Sequence, residues 1–174
     1  QGFTTISENL SSDDVIQLLS EYQDKMIKPI FQNSGTVDKF IGDAVMATFG
    51  TPVSQGNDAQ NAFNCAREMQ IGMRQWAKER SEKGLPIISH RIGIHFGSCI
   101  VGNVGNDELK EFTVIGDVVN VANRVCDAGK ELKSDFVITE ELRLRLNEEI
   151  KSEVVESFAI RGKKEKLKLH IVNI

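Results

Sequence analysis

Apolar positions in the first half of the chain recur with helical spacing in two long segments. After Ser11 and two acidic residues, apolar side chains recur every three or four positions as far as Phe31. This pattern predicts a helix with one buried face and a capped start. A second such segment covers residues 58–83, and Gly84 and Pro86 end it. We therefore expect two long amphipathic helices, separated by a segment whose apolar residues do not have helical spacing.

Residues 35–50 form that intervening segment, and their pattern is typical of a β-hairpin. Apolar, strand-forming residues lie on both sides of Gly42 and Asp43. Two strands joined by a two-residue turn are expected, with the carboxylate of Asp43 at the tip. Oxygen ligands suit a hard cation such as Mg²⁺, but aspartate is also common in ordinary solvated turns. The stretch by itself leaves both interpretations open.

Short strands and helices alternate through the second half of the chain. Residues 87–96 alternate apolar and polar side chains, which predicts a strand. Further strands are predicted up to residue 105 and at 111–115, 136–138, 153–161 and 166–173, with helices over 117–129 and from 139 to about 147. Because strands occur both in hairpins and between helices, the pattern indicates an α+β fold, with one sheet and helices on one face.

The composition is typical of a globular domain. The chain has 174 residues, of which 40% are hydrophobic and 26% charged, so we expect one domain over residues 1–174. A net charge of −4 provides no general attraction to nucleic acid. No apolar run reaches membrane-spanning length, so no membrane contact by this domain is expected. Three widely spaced cysteines predict reduced thiols and a cytoplasmic location.

Four motifs give the chain a specific likeness to a known family. They occupy residues 1–8, 39–50, 91–97 and 112–124, and the second has the sequence Lys-Phe-Ile-Gly-Asp-Ala-Val-Met-Ala-Thr-Phe-Gly. In this order they resemble the catalytic domain of the class III nucleotide cyclases, over nearly the whole chain. The resemblance implies a ferredoxin-like core with a C-terminal extension and one mainly antiparallel sheet. It also implies a central strand that ends in an aspartate just before Gln1, so we expect the sequence to be incomplete at its N-terminus.

The resemblance assigns Asp43 to a metal site. There it would bind two Mg²⁺ or Mn²⁺ ions, together with the aspartate expected before Gln1. The backbone of Phe3 and Thr4 would lie near the metals and the phosphates, although Phe3 is equally suited to core packing. Arg161 would bind the β- and γ-phosphates, and a solvated basic turn is the alternative for this residue.

The resemblance implies that Lys39 and Thr113 bind the purine base. Lys39 would donate to adenine N1, and Thr113 would take the 6-amino group. Guanylate cyclases usually carry Glu and Cys or Ser at these positions, so the pair favours ATP over GTP. Asn120 and Arg124 are four residues apart on one helix face. The resemblance implies that they are catalytic residues, with Asn120 holding the ribose and Arg124 the α-phosphate. Without the resemblance, Thr113 would be interpreted as an ordinary strand residue, and Asn120 and Arg124 as part of a solvated helix face.

The implied function is that of an adenylate cyclase. ATP would be converted to cyclic AMP and pyrophosphate by two-metal-assisted attack of the ribose 3′-hydroxyl on the α-phosphate. The chain carries both halves of the family's shared site, apart from the expected aspartate, which implies a homodimer with two equivalent sites. A covalently attached regulatory or sensor domain is expected as well. The alternatives are a non-catalytic dimerisation or nucleotide-binding module, and a guanylate cyclase.

Overall fold

The computed structural model describes residues 6–8, 10–160 and 165–174. The predicted α+β class is confirmed by its order of helices and strands. The helices are α1 (Ser12–Gln32), α2 (Asp58–Glu82), α3 (Asp117–Glu131) and α4 (Glu140–Arg143). The strands are β1 (Gly35–Ile41), β2 (Ala44–Phe49), β3 (Ile92–Ile94), β4 (Ile100–Gly105), β5 (Lys110–Ile115), β6 (Phe136–Thr139), β7 (Ser152–Phe158) and β8 (Leu167–Val172).

The described strands fall into three hydrogen-bonded groups, where the sequence pattern predicted a single sheet. β1 pairs with β2, β4 pairs with β5, and the other strands form a sheet in the order β3-β6-β8-β7. In that sheet β3 is parallel to β6, and the other neighbours are antiparallel. The strand predicted over residues 87–96 is shorter, because only Ile92–Ile94 pairs with β6. Alternating side chains do not make a strand without a hydrogen-bonded neighbour.

The β1–β2 hairpin is close to its prediction and has one additional feature. Gly42 and Asp43 form the two-residue turn, and Gly42 has a φ of +63°, a conformation that glycine adopts without strain. Val37 pairs with Ala47, but Lys39 pairs with Met46, the adjacent residue. The extra residue between them is Asp38, which therefore occupies a β-bulge.

The first two helices agree closely with the sequence pattern. The side chain of Ser11 caps α1 by accepting a hydrogen bond from the N–H of Asp14 at 3.2 Å. Pro29 lies within the last turn of α1, which continues to Gln32. The two helices share a buried cluster that includes Leu18, Met26, Met73 and Trp76. Over the described residues, neither these helices nor the shorter ones have the length and apolar character needed to cross a membrane.

Helix α3 lies directly against the four-stranded sheet. Val121 and Val125 of α3 are fully buried and pack in one cluster with Val137 of β6. At Gly93 of β3 an added Cβ would lie 2.2 Å from the backbone nitrogen of Cys126. No side chain fits at position 93, so the glycine sets the close approach of helix and sheet. This contact fixes α3, and with it the predicted residues Asn120 and Arg124.

Candidate active site

The bulge in β1 directs the side chain of Asp38 toward β5, which forms a second hairpin with β4. Asp38 Oδ2 accepts a hydrogen bond from the hydroxyl of Thr113 at 2.9 Å, and Oδ1 accepts one from the N–H of Val114 at 3.3 Å. The side chain of Asp38 is only 6% exposed, and Thr113 is buried. One carboxylate therefore connects β1 to β5 and places Thr113 beside Lys39.

Sequence reasoning missed Asp38 as a site residue. The signal was present, because the apolar residues Val37 and Phe40 are three positions apart, which breaks the two-residue period of a strand. Such a break can indicate a bulge, and bulges often redirect a side chain.

Lys39 lies between two carboxylates from different strands. Its ammonium nitrogen is 2.7 Å from Glu111 Oε1 and 3.7 Å from Asp38 Oδ2. The hydrogen bond to Glu111 is the main cause that raises the pKa of Lys39, so the side chain stays a cation. An ammonium group has three N–H donors. Glu111 accepts one of them, and Asp38 at 3.7 Å is an ion-pair partner, so a donor remains for a ligand. The side chain is 31% exposed, so that donor is accessible.

Asp43 lies at the exposed tip of the β1–β2 hairpin, four residues beyond Lys39. Burial raises the pKa of Tyr22 to about 12, and the negative charge of Asp43 contributes to that rise. Across the described ranges, no group of three His, Cys, Asp or Glu side chains is arranged to hold a metal ion. Asp43 is an exposed carboxylate at the hairpin tip, where other molecules can reach it.

Asn120 and Arg124 lie on α3, which follows the strand of Thr113 almost directly. The residues after them, Val121 and Val125, are fully buried, so Asn120 and Arg124 lie at the margin of the buried face. Asn120 is exposed and Arg124 is half-buried. Strand β5 and helix α3 therefore carry three predicted site residues on one connected unit.

Three other predicted residues, Phe3, Thr4 and Arg161, lie outside the described residues. Within the described chain, the structure brings Lys39 and Thr113 together and leaves Asp43 apart from them, at the hairpin tip.

The strands that carry Lys39 and Thr113 also carry exposed apolar side chains. Cavities of about 190 and 170 Å³ lie elsewhere in the described chain, and no predicted site residue lines them. Large apolar side chains project instead from the strands and ends of the two hairpins, with exposed fractions between 46% and 72%. They are Phe40, Ile41, Ile100, Phe112 and Ile115. Exposed apolar side chains in such number are a feature of surfaces that bind another protein.

Comparison with known proteins relates the sequence to one family. Residues 1–173 match the model of the adenylate and guanylate cyclase catalytic domain. Adenylate cyclase 1 of Rhizobium meliloti (strain 1021) is 37% identical over 129 residues, which are 74% of this chain and 19% of the relative. The adenylate cyclase of Anabaena cylindrica is 35% identical over 179 residues, 99% of this chain and 35% of the relative. The chain thus spans between a fifth and about a third of these curated relatives.

Solved structures of this family have the same fold. The adenylyl cyclase CyaB from P. aeruginosa superposes with a TM-score of 0.90 at 30% identity, over 100% of this chain and 89% of that one. The guanylyl cyclase Cya2 superposes with a TM-score of 0.85 at 29% identity, over 99% of this chain and 86% of that one. The cyclase fold implied by the four motifs is confirmed.

Proposed function

Because the chain belongs to the family of adenylate and guanylate cyclase catalytic domains, we propose that it converts ATP to 3′,5′-cyclic AMP and pyrophosphate. The observation that carries the choice of ATP is the pairing of Lys39 with Thr113 through Asp38. The two curated relatives described above are named adenylate cyclases, which supports the same choice.

In this proposal the purine is recognised by matching donors to acceptors. The remaining N–H donor of Lys39 binds N1 of adenine, which carries a lone pair, and Thr113 binds the 6-amino group. Guanine has an N–H at position 1 and a carbonyl at position 6, so both contacts would be mismatched. A site with such polar groups rejects the wrong base because its own groups are left unpaired.

The phosphates and metal ions are assigned to the other predicted residues. Asp43 supplies a carboxylate oxygen to Mg²⁺ or Mn²⁺, and the substrate phosphates supply further ligands. When bound, two such ions lower the pKa of the attacking 3′-hydroxyl and neutralise the leaving pyrophosphate. Phe3 and Thr4 remain predicted neighbours of the metals, and Arg161 remains a predicted ligand of the β- and γ-phosphates.

Two residues of α3 act on the reacting part of the substrate. Asn120 orients the ribose by hydrogen bonds, which holds the 3′-hydroxyl in line with the α-phosphate. Arg124 binds the α-phosphate and stabilises the negative charge that develops on it in the transition state. Both side chains lie at the margin of the helix face that is anchored against the sheet, so their backbone positions are rigid.

We assign each active site to two copies of the chain. Lys39 is partly exposed beside the buried Thr113, and the strands that carry them also carry exposed apolar side chains, which a second copy would cover. One copy would provide Asp43, and the other would provide Lys39, Thr113, Asn120 and Arg124. A two-fold symmetric dimer has two such sites. Because the curated relatives are much longer, we also propose an attached regulatory or sensor domain. The reduced cysteines expected from the sequence support a cytoplasmic location.

A guanylate cyclase is the second candidate, because the guanylyl cyclase Cya2 has the same fold. The third is a non-catalytic module. The test incubates the full-length protein with Mg²⁺ and either ATP or GTP and separates the products by chromatography. We expect cyclic AMP from ATP at a clearly higher rate than cyclic GTP from GTP. Preferential cyclic GTP would establish the second candidate, and bound but unreacted nucleotide would establish the third.

A further inference from the structure

We propose that Asp38 is a positioning residue that sets the purine specificity by fixing the direction of the Thr113 hydroxyl. The inference rests on the proposed function, in which Thr113 binds the 6-amino group of adenine. It concerns a residue that contacts no substrate itself and acts through its hydrogen bond to Thr113.

The position of Asp38 is determined by the backbone rather than by chance rotation of a surface side chain. It is the extra residue of the bulge in β1, and both of its carboxylate oxygens have partners on β5. The N–H of Val114 holds Oδ1 at 3.3 Å, which leaves Oδ2 for the hydroxyl of Thr113 at 2.9 Å. Lys39 balances the buried charge from 3.7 Å. A carboxylate with this little exposure and this many partners has one stable orientation.

The chemistry of the two groups then decides what Thr113 can bind. A hydroxyl has one proton to donate and two lone pairs, whereas an ionised carboxylate can only accept. The proton of Thr113 is therefore committed to Asp38. Only the lone pairs of the hydroxyl are left for a ligand, so Thr113 acts toward the ligand as an acceptor. A 6-amino group satisfies that acceptor, but a 6-carbonyl group cannot. A threonine without Asp38 could rotate its proton toward the base and accept either group.

The substitution Asp38→Asn removes this constraint with almost no change in volume. The N–H of Val114 and the hydroxyl of Thr113 bind different oxygens of Asp38, and an amide replaces one of these oxygens with an NH₂ group that can only donate. ATP should then lose the advantage in kcat/KM that its 6-amino group gives it over a nucleotide without that group. If Asp38 only connected the two hairpins, Asp38→Asn would change kcat/KM by the same factor for every nucleotide.

The experiment compares ATP with purine riboside 5′-triphosphate, which keeps N1 but lacks the 6-amino group. Cyclisation by the full-length protein is measured as kcat/KM for both nucleotides. We expect Asp38→Asn to lower the ratio of ATP to the analogue by about tenfold, the effect of one lost hydrogen bond to a fixed acceptor. The control is Asp24→Asn, which removes the same charge from an exposed aspartate on α1 and should leave the ratio unchanged.

A second control tests whether the effect passes through the hydroxyl. In a Thr113→Val background there is no hydroxyl to orient, so Asp38→Asn should change the ratio by less than about twofold. Equal losses with both nucleotides, or the same tenfold change in the Thr113→Val background, would overturn the inference while leaving the proposed function intact. A wild-type protein that forms no cyclic AMP would overturn the proposed function and the inference together.

Discussion

The ammonium group of Lys39 lies 2.7 Å from the carboxylate of Glu111, a residue 72 positions away on the other hairpin. This ion pair holds the lysine beside Thr113 and keeps it protonated, since the hydrogen bond raises its pKa. It also limits how the site can be changed. An acidic side chain at position 39 would meet two carboxylates, Glu111 and Asp38, instead of pairing with them.

The first prediction concerns the base. Lys39→Glu combined with Thr113→Cys should lower kcat/KM for ATP by about a hundredfold, because both contacts to adenine are lost. Activity with GTP should rise only when Glu111→Lys is added, since this substitution restores the ion pair with its charges exchanged. The measurement is kcat/KM for ATP and GTP in the double and triple variants. Unchanged activity of the double variant with ATP would show that these residues do not contact the base.

The second prediction concerns the metal. Asp43→Asn should abolish cyclisation in the full-length protein and leave the dimer folded, because the substitution removes a charged metal ligand and almost no volume. Activity is measured with Mg²⁺ and with Mn²⁺, and the dimer is checked by size-exclusion chromatography. The matched control is Asp107→Asn, an exposed aspartate between β4 and β5, which should stay active. Near-normal activity of Asp43→Asn would place the metal site elsewhere.

The third prediction concerns acid stability. Hydrogen bonds from Arg143 and then from His170 lower the pKa of Glu140 to about 2, from an ordinary 4.5. A carboxyl group with a lowered pKa stabilises the folded state above pH 4.5, and this contribution is lost as the pH falls toward 2. Glu140→Gln should therefore lower the free energy of unfolding by about 1 kcal/mol at pH 7, allowing for solvent screening.

The measurement for Glu140 is urea unfolding across a pH series. The difference between wild type and Glu140→Gln should shrink as the pH falls below 4.5, because the wild-type carboxyl then becomes protonated in the unfolded state. Glu153→Gln, an exposed change on β7, serves as the control and should show no such dependence. A difference that stays constant with pH would assign the effect to packing.

The fourth prediction concerns the contact of α3 with the sheet. Gly93→Ala should lower the free energy of unfolding by about 2 kcal/mol or more, since its Cβ would overlap the backbone at Cys126. Gly72→Ala is the control, because Gly72 lies inside α2 with open space around it. It should raise stability by about 0.5–1 kcal/mol through helix propensity. Denaturant unfolding of both variants gives the two values, and a neutral Gly93→Ala would mean that the helix can shift.

Local signals explain which parts of the fold were predictable from sequence. The cap at Ser11 and the turn at Gly42 and Asp43 depend on neighbours within a few residues, and both are confirmed. The α4 helix is shorter than the predicted range of 139–147, and β3 is shorter than 87–96, because pairing and packing with distant segments decide where these elements end. The contact of Asp38 with Thr113 joins residues 75 positions apart, so no local pattern specifies it.

The motif residues were predictable because each belongs to a recognisable string of sequence, whereas their partners were not. Lys39 and Thr113 both lie beside Asp38, and the contacts of Asp38 with Thr113 and of Glu111 with Lys39 join residues far apart in the sequence. The roles of Asp43 and Arg124 stay predictions that substitutions at these two positions test, and the role of Asn120 stays a prediction.

The measurement that tests the shared site most directly is complementation between two inactive variants. Asp43→Asn and Arg124→Ala should each be inactive, because every site in either homodimer lacks one group. When the two are co-expressed and assemble at random, half of the dimers are mixed, and each mixed dimer has one doubly defective site and one intact site. Intact sites are then about a quarter of the total, so about a quarter of wild-type activity should return. If proven mixed dimers regain no activity, Asp43 and Arg124 serve the same site from one chain, and the account is contradicted.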